Sequence, residues 1–224
     1  MTAVIPGILE STLENLQAKL QLVEPYTDVV HIDITHPNFF QQRTRPAPQK
    51  TIGLSELQQL NTRLSYRLHL MVSLDEQMTQ DFCHTAAQGL IVYPHASINI
   101  RETLETIRSY DKQVGLALEP EVGAYEIEPF LDLVDYFLVM GVESGQKGQP
   151  FLPQVLPKIE ALRQAVGNIP IGVDGGIEVG IAKAVAERGA DFIVVNSALF
   201  SAPSIEQALA ALEQDVLLSS EDNN

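Results

Sequence analysis

Cysteine occurs once in this chain of 224 residues, at Cys83. A single thiol excludes an internal disulfide and suits a reducing compartment. Its setting, Asp81-Phe82-Cys83-His84, reads as helix, where a free cysteine is ordinarily a small buried residue without chemistry. Positive charge is also scarce, with 14 Lys and Arg against 29 Asp and Glu, for a net charge of −15. Such a surface repels nucleic-acid phosphates and anionic membranes, so neither is an expected partner. Long apolar runs are missing too. Stretches such as Gly89–Tyr93 and Phe192–Val195 are far too short to span a bilayer. Met1-Thr2-Ala3-Val4-Ile5-Pro6 lacks the basic start and apolar core of a signal peptide, which leads us to expect a cytoplasmic protein.

What the chain does have is apolar material for a large core, 45% of its residues, arranged with a regular rhythm. Short β-rich runs are expected at Ala3–Gly7, Val29–Ile34, Ser65–Met71, Leu90–Tyr93, Gly115–Leu118, Tyr136–Val142, Ile171–Asp174 and Phe192–Asn196. Segments of helical periodicity lie between them, as at Leu13, Leu16, Leu20 and Val23. Ser11-Thr12-Leu13-Glu14 and Ser55-Glu56-Leu57-Gln58 have the form of capping boxes, and Pro153 suits a first helical turn. Several strands are apolar on both faces, as a covered parallel sheet requires. Eight strand–helix units favour a single (β/α)8 barrel over an open doubly wound sheet. We expect one barrel domain over 1–218, with a polar acidic tail at 219–224. The link from Thr35 to Leu54 is long and rich in Pro, Gln and Arg, as functional lids often are.

Barrel active sites gather at the carboxyl ends of the strands. His31 and Asp33 are two apart in the second strand and share one face, while Val30, Ile32 and Ile34 take the other. The third strand offers His69 and the seventh ends at Asp174. A lone strand-end His or Asp is more often a satisfied polar group than a ligand. Two imidazoles and two carboxylates in one barrel mouth are costly to bury, and a divalent cation removes that cost. Zinc, ferrous iron and manganese all suit the set.

Six fragments then occur in order: Val30-His31-Ile32-Asp33, Leu68-His69-Leu70-Met71-Val72, Val139-Met140-Gly141-Val142 followed by Gly145-Gln146-Lys147-Gly148-Gln149, Lys158-Ile159, Val173-Asp174-Gly175-Gly176-Ile177 and Asn196-Ser197-Ala198-Leu199-Phe200. On these fragments the chain resembles the ribulose-phosphate 3-epimerase family from Ile5 to Phe200. The resemblance implies an isomerase of carbohydrate metabolism acting on ribulose 5-phosphate, xylulose 5-phosphate or a related sugar phosphate of the pentose phosphate type. It implies one divalent ion held by His31, Asp33, His69 and Asp174, with Asp33 and Asp174 also acting as proton acceptor and donor. Met71 and Met140 match an apolar wall around the reacting carbon. Substrate contacts would come from His69 and from the loops after strands six, seven and eight, at Gly145, Gln146, Lys147, Gly148, Gly175, Gly176, Asn196 and Ser197. A homo-oligomer is implied as well.

The departures gather around the substrate. Gly7 stands where the family has serine, Thr35 where it has methionine, His36-Pro37 for Asp-Gly, Glu119 for asparagine, and Lys147 and Asn196 for glycines. They leave open an altered substrate, or a non-catalytic barrel that binds a phosphorylated ligand. A phosphate-binding decarboxylase is disfavoured, because Asp33-Ile34-Thr35-His36-Pro37-Asn38 lacks the lysine and second aspartate of the Asp-x-Lys-x-x-Asp pattern.

Overall fold

Eight parallel strands close in chain order into a barrel in the computed structural model, which describes residues 2–40, 50–144 and 148–221. The strands are β1 (Ala3–Ile8), β2 (Val29–Thr35), β3 (Ser65–Met71), β4 (Gly89–Val92), β5 (Gln113–Leu118), β6 (Tyr136–Met140), β7 (Ile171–Asp174) and β8 (Phe192–Val195). Between and after them run α1 (Leu13–Val23), α2 (Leu54–Leu57), α3 (Glu76–Cys83), α4 (Ile100–Ser109), α5 (Leu156–Val166), α6 (Ile181–Glu187), α7 (Ser197–Phe200) and α8 (Ile205–Glu221). This is the single (β/α)8 architecture that the apolar rhythm implies. Every strand expected from sequence is present, with ends moved by no more than two residues.

The crossovers differ more from expectation. Between β5 and β6 the chain makes a 3-10 segment, Ala124–Phe130, with Pro129 inside it. Proline has no N–H to give, so an α-helical ladder cannot run through that position. Helix starts are displaced as well. Thr12, and not Ser11, caps α1, its hydroxyl accepting from Asn15 N at 3.2 Å. Gly53, and not Ser55, caps the four-residue α2, with Glu56 accepting from Gly53 N at 3.0 Å. In both cases a neighbour reaches the extended backbone angles that a cap needs, and the hydrogen bond follows the backbone. Pro153 opens a 3-10 turn, Pro153–Val155, that leads into α5 as expected.

By packing, the chain divides into Gly7–Leu116 and a second unit made of Met1–Pro6 with Ala117–Asn224; the cuts fall inside β1 and β5. In the first unit the register of β2 on β3 sets His31 beside Arg67, Asp33 beside His69 and Thr35 beside Met71. Val30, Ile32 and Ile34 are buried on the other face, so β2 is covered on both sides. Thr51 N donates to Thr35 O, Thr51 Oγ1 accepts from Thr35 N and Ile52 N donates to Glu10 O, which brings the chain back to the ends of β2 and β1. Of the long link, residues 41–49 lie outside the described residues.

In the second unit, one arginine ties two loops, those before β7 and β8. Arg163 donates to the carbonyls of Gly167, Ile169 and Gly189 and pairs with Asp191, whose carboxylate also accepts from Ile171 N. Asp215 on α8 accepts from Gly180 N and Lys183 N at 2.7 and 2.8 Å, satisfying the exposed donors at the start of α6. Cys83 is buried at the end of α3, and burial pushes its thiol up to about 11, so it stays protonated and unreactive. No helix among the described residues is long and apolar enough to cross a membrane.

Candidate active site

His31 and Asp33 project from the same face of β2, and the β2–β3 register delivers His69 to Asp33 from the neighbouring strand. Both rings converge on one carboxylate oxygen. His31 Nε2 lies 3.1 Å and His69 Nδ1 2.9 Å from Asp33 Oδ1, and the two imidazoles meet edge to face with centroids 5.1 Å apart. All three residues are buried. Burial pushes the Asp33 carboxyl upward, but the hydrogen bonds and charge of His31 and His69 outweigh it and hold the group well below the usual carboxylate range. Asp33 is therefore ionised at physiological pH. Both ring contacts fall on the same oxygen, Oδ1.

Asp174 ends β7, partly buried, and its backbone carbonyl accepts from Gly141 N at 2.6 Å. One donor atom from each of His31, Asp33, His69 and Asp174 lies within 4.8 Å of the others. Donors bound about 2.0–2.2 Å from an ion stand at most roughly 4.4 Å from one another, so this set, within 4.8 Å, needs only a small inward movement to close on a single small cation. Its chemistry fits too, because imidazole with carboxylate suits zinc, iron or manganese. A buried carboxylate with a partly buried one close by is expensive without such a charge.

Glycines shape the loop after Asp174. Gly175 and Gly176 have φ of +102° and +69°, values that side-chain-bearing residues rarely adopt. A Cβ on Gly176 would stand 2.4 Å from Phe151 N and 2.6 Å from Phe151 Cα. The Gly-Gly pair is thus demanded by the backbone, whatever ligand the loop meets.

The other residues singled out from sequence fall as follows. Met71 and Met140 are buried at the ends of β3 and β6. Gly148 is exposed with φ +71°. Asn196 precedes α7 and Ser197 begins it, at the end of β8. Gly145, Gln146 and Lys147 lie outside the described residues. His84 is exposed at the end of α3.

Two residues went unnoticed in the sequence. Tyr93 is fully buried, and its hydroxyl lies 3.0 Å from His69 Nε2. Phe39 packs against Tyr93 and stacks on His95, with centroids 5.2 and 5.1 Å apart. An aromatic closing an apolar strand gives no signal of its own until the pairing of β3 with β4 is known.

Lys158, near the start of α5, donates to the backbone carbonyl of Glu119 just beyond β5. Burial lowers its ammonium to about 8 from 10.5, against the opposing pull of Glu121, Glu119 and Glu126. The folded chain gives up this proton before the unfolded chain does. Stability linked to Lys158 is therefore missing below about pH 8 and grows as the pH rises toward 10.5. Lys158→Met is expected to remove that rise, read as the difference between wild-type and variant unfolding free energies from pH 7 to 10.5.

A closed α/β barrel with a polar cluster at the carboxyl ends of its strands is the frame of a barrel enzyme, here an isomerase. The chain belongs to the ribulose-phosphate 3 epimerase family, which it matches over residues 3–200. It is 34% identical over 218 residues to a ribulose-phosphate 3-epimerase from Synechocystis, covering 93% of this chain and 92% of that one. A ribulose-phosphate 3-epimerase from Schizosaccharomyces pombe is 29% identical, covering 97% and 95%. Among solved structures, 3-hexulose-6-phosphate synthase from Salmonella typhimurium aligns with a TM-score of 0.69 at 16% identity, covering 97% of this chain and all of that one. Orotidine 5'-phosphate decarboxylase from Pyrococcus horikoshii aligns with a TM-score of 0.66 at 15% identity, covering 97% and 99%. Likeness at that level concerns the fold alone.

Proposed function

We propose that this chain epimerises a ketose phosphate at carbon 3, with ribulose 5-phosphate and xylulose 5-phosphate as the pair, by proton transfer between two carboxylates through an enediolate. The observation that carries the reading is the convergence of His31, Asp33, His69 and Asp174 donors within 4.8 Å. Family membership supplies the reaction class.

Inversion at a carbon beside a carbonyl removes a proton from one face and returns one to the other, so two bases suit it better than one. Asp33 and Asp174 stand on β2 and β7, which are not neighbours in the strand order. In this reading Asp33, kept ionised by its two histidines, takes the C3 proton of ribulose 5-phosphate, and Asp174 delivers a proton to the opposite face. His31, Asp33, His69 and Asp174 would hold one zinc, iron or manganese ion, which supplies positive charge where the enediolate oxygens develop negative charge. Met71 and Met140 exclude water from the reacting carbon. The phosphate is assigned to Gly145, Gln146, Lys147, Gly148, Gly175, Gly176, Asn196 and Ser197, because glycine lets the backbone N–H groups of a chain approach an anion closely. Action as one barrel domain over 1–218, in a cytoplasmic homo-oligomer, belongs to the same reading.

The test is the reaction in deuterated water, followed by proton NMR. The metal-loaded chain is expected to convert ribulose 5-phosphate to xylulose 5-phosphate with loss of the C3 proton signal, and a chelator is expected to abolish both. Neither exchange nor conversion by metal-loaded protein would overturn the assignment of this substrate pair.

A further inference from the structure

We infer that Tyr93 is a positioning residue, setting which ring nitrogen of His69 is presented to the cation and thereby the tightness of metal binding. The inference rests on the metal-site reading above and adds a residue to it.

Tyr93 follows directly on β4. The β3–β4 register places His69 beside Ile91, and two residues further on Tyr93 shares the same face as His69. The His69 ring is held at both nitrogens, with Nδ1 2.9 Å from Asp33 Oδ1 and Nε2 3.0 Å from the Tyr93 hydroxyl. The two rings also stack, with centroids 5.3 Å apart and planes 26° from parallel. His69 and Tyr93 are both 0% exposed, so bulk water does not compete for Nε2.

A nitrogen that binds a cation must offer a lone pair. For His69 to present Nδ1 beside Asp33, its proton must sit on Nε2 and be accepted there. A phenol oxygen accepts as well as donates, so the Tyr93 hydroxyl can fill that role. Fixing the far nitrogen of a ligating imidazole sets its tautomer and ring orientation, and losing such a partner typically costs about 10–100-fold in metal affinity. The rings of Phe39 and His95 pack beside Tyr93, 5.2 and 5.4 Å away, without touching the hydrogen bond itself.

The experiment is a zinc titration of chelator-stripped, full-length protein against a chromogenic chelator, comparing wild type, Tyr93→Phe and Phe39→Leu. Tyr93→Phe deletes one oxygen and keeps the ring stack. Phe39→Leu removes a neighbouring ring and keeps the hydroxyl. The expected result is about 10–100-fold weaker zinc binding for Tyr93→Phe, with a shifted visible spectrum for the cobalt form, and a change within about threefold for Phe39→Leu. Equal affinity in wild type and Tyr93→Phe would overturn the role of Tyr93 while leaving the metal site standing. So would a loss in Phe39→Leu as large as that in Tyr93→Phe, because affinity would then follow packing and not the hydroxyl. Wild-type protein that binds no zinc would remove the metal reading and this inference together.

Discussion

Asp33→Asn should lower kcat by about 10³-fold or more while the barrel remains folded. A positioned general base typically contributes about 10²–10⁴-fold, and this carboxylate is also assigned as a metal ligand, so the loss belongs at the upper end. Asparagine keeps the shape and still offers an oxygen to His31 and His69, now 3.1 and 2.9 Å from Asp33 Oδ1. It removes the charge that accepts the substrate proton. Asp174→Asn should lose as much turnover, and the pair can be told apart. With one base on each face, a chain lacking Asp174 can still exchange the C3 proton of ribulose 5-phosphate through Asp33 without inverting the carbon. A chain lacking Asp33 should instead exchange the C3 proton of xylulose 5-phosphate. Mass spectrometry of substrate recovered from deuterated water reads both outcomes. Either variant exchanging both epimers equally would sink the two-base scheme.

Gly176→Ala should cost about 3 kcal/mol of folding stability or more. The backbone there sits at φ +69°, and an unfavourable conformation of this kind costs about 1–3 kcal/mol for a residue bearing a side chain. The added methyl also meets Phe151 N at 2.4 Å and Phe151 Cα at 2.6 Å. These are main-chain atoms that cannot turn aside as a rotamer would, so overpacking adds about 1–3 kcal/mol. For a domain of this size each kcal/mol moves Tm by about 2–4 °C, which places the fall at about 6–12 °C. Gly148→Ala is the control. Its φ of +71° is nearly the same, but nothing among the described residues lies within 4 Å of the added Cβ, so only the backbone cost of about 1 kcal/mol should appear. Equal losses at the two sites would show that the approach of Phe151 contributes nothing. Because Leu152 N bonds Gly141 O and Gly141 N bonds Asp174 O, a displaced Phe151 should also disturb Asp174 and reduce turnover.

The strands were legible because burial on both faces writes itself into composition: Val30, Ile32 and Ile34 are apolar for the same reason that they are covered. His31 and Asp33 stood out against that background as polar residues at period two. Helix starts were read less well. Ser11 and Thr12 are both suitable caps, and only the extended angles of Thr12, φ −131° and ψ 147°, decide between them. The crossover between β5 and β6 was expected to be helical like the others, and it holds a 3-10 segment at Ala124–Phe130 because Pro129 has no N–H to give.

From the amino-acid order alone follow the eight strands, the identities of the four candidate ligands, and the class of chemistry that two imidazoles and two carboxylates allow. These are local matters, set by side-chain type and by spacing within one strand. Tertiary structure alone decided that Asp33 stands beside His69, that one carboxylate oxygen receives both rings, and that Tyr93 meets the far nitrogen of His69. Those relations depend on the register between neighbouring strands. A shift of one residue would turn the polar face of β2 outward, and the packing of the whole closed sheet chooses the register.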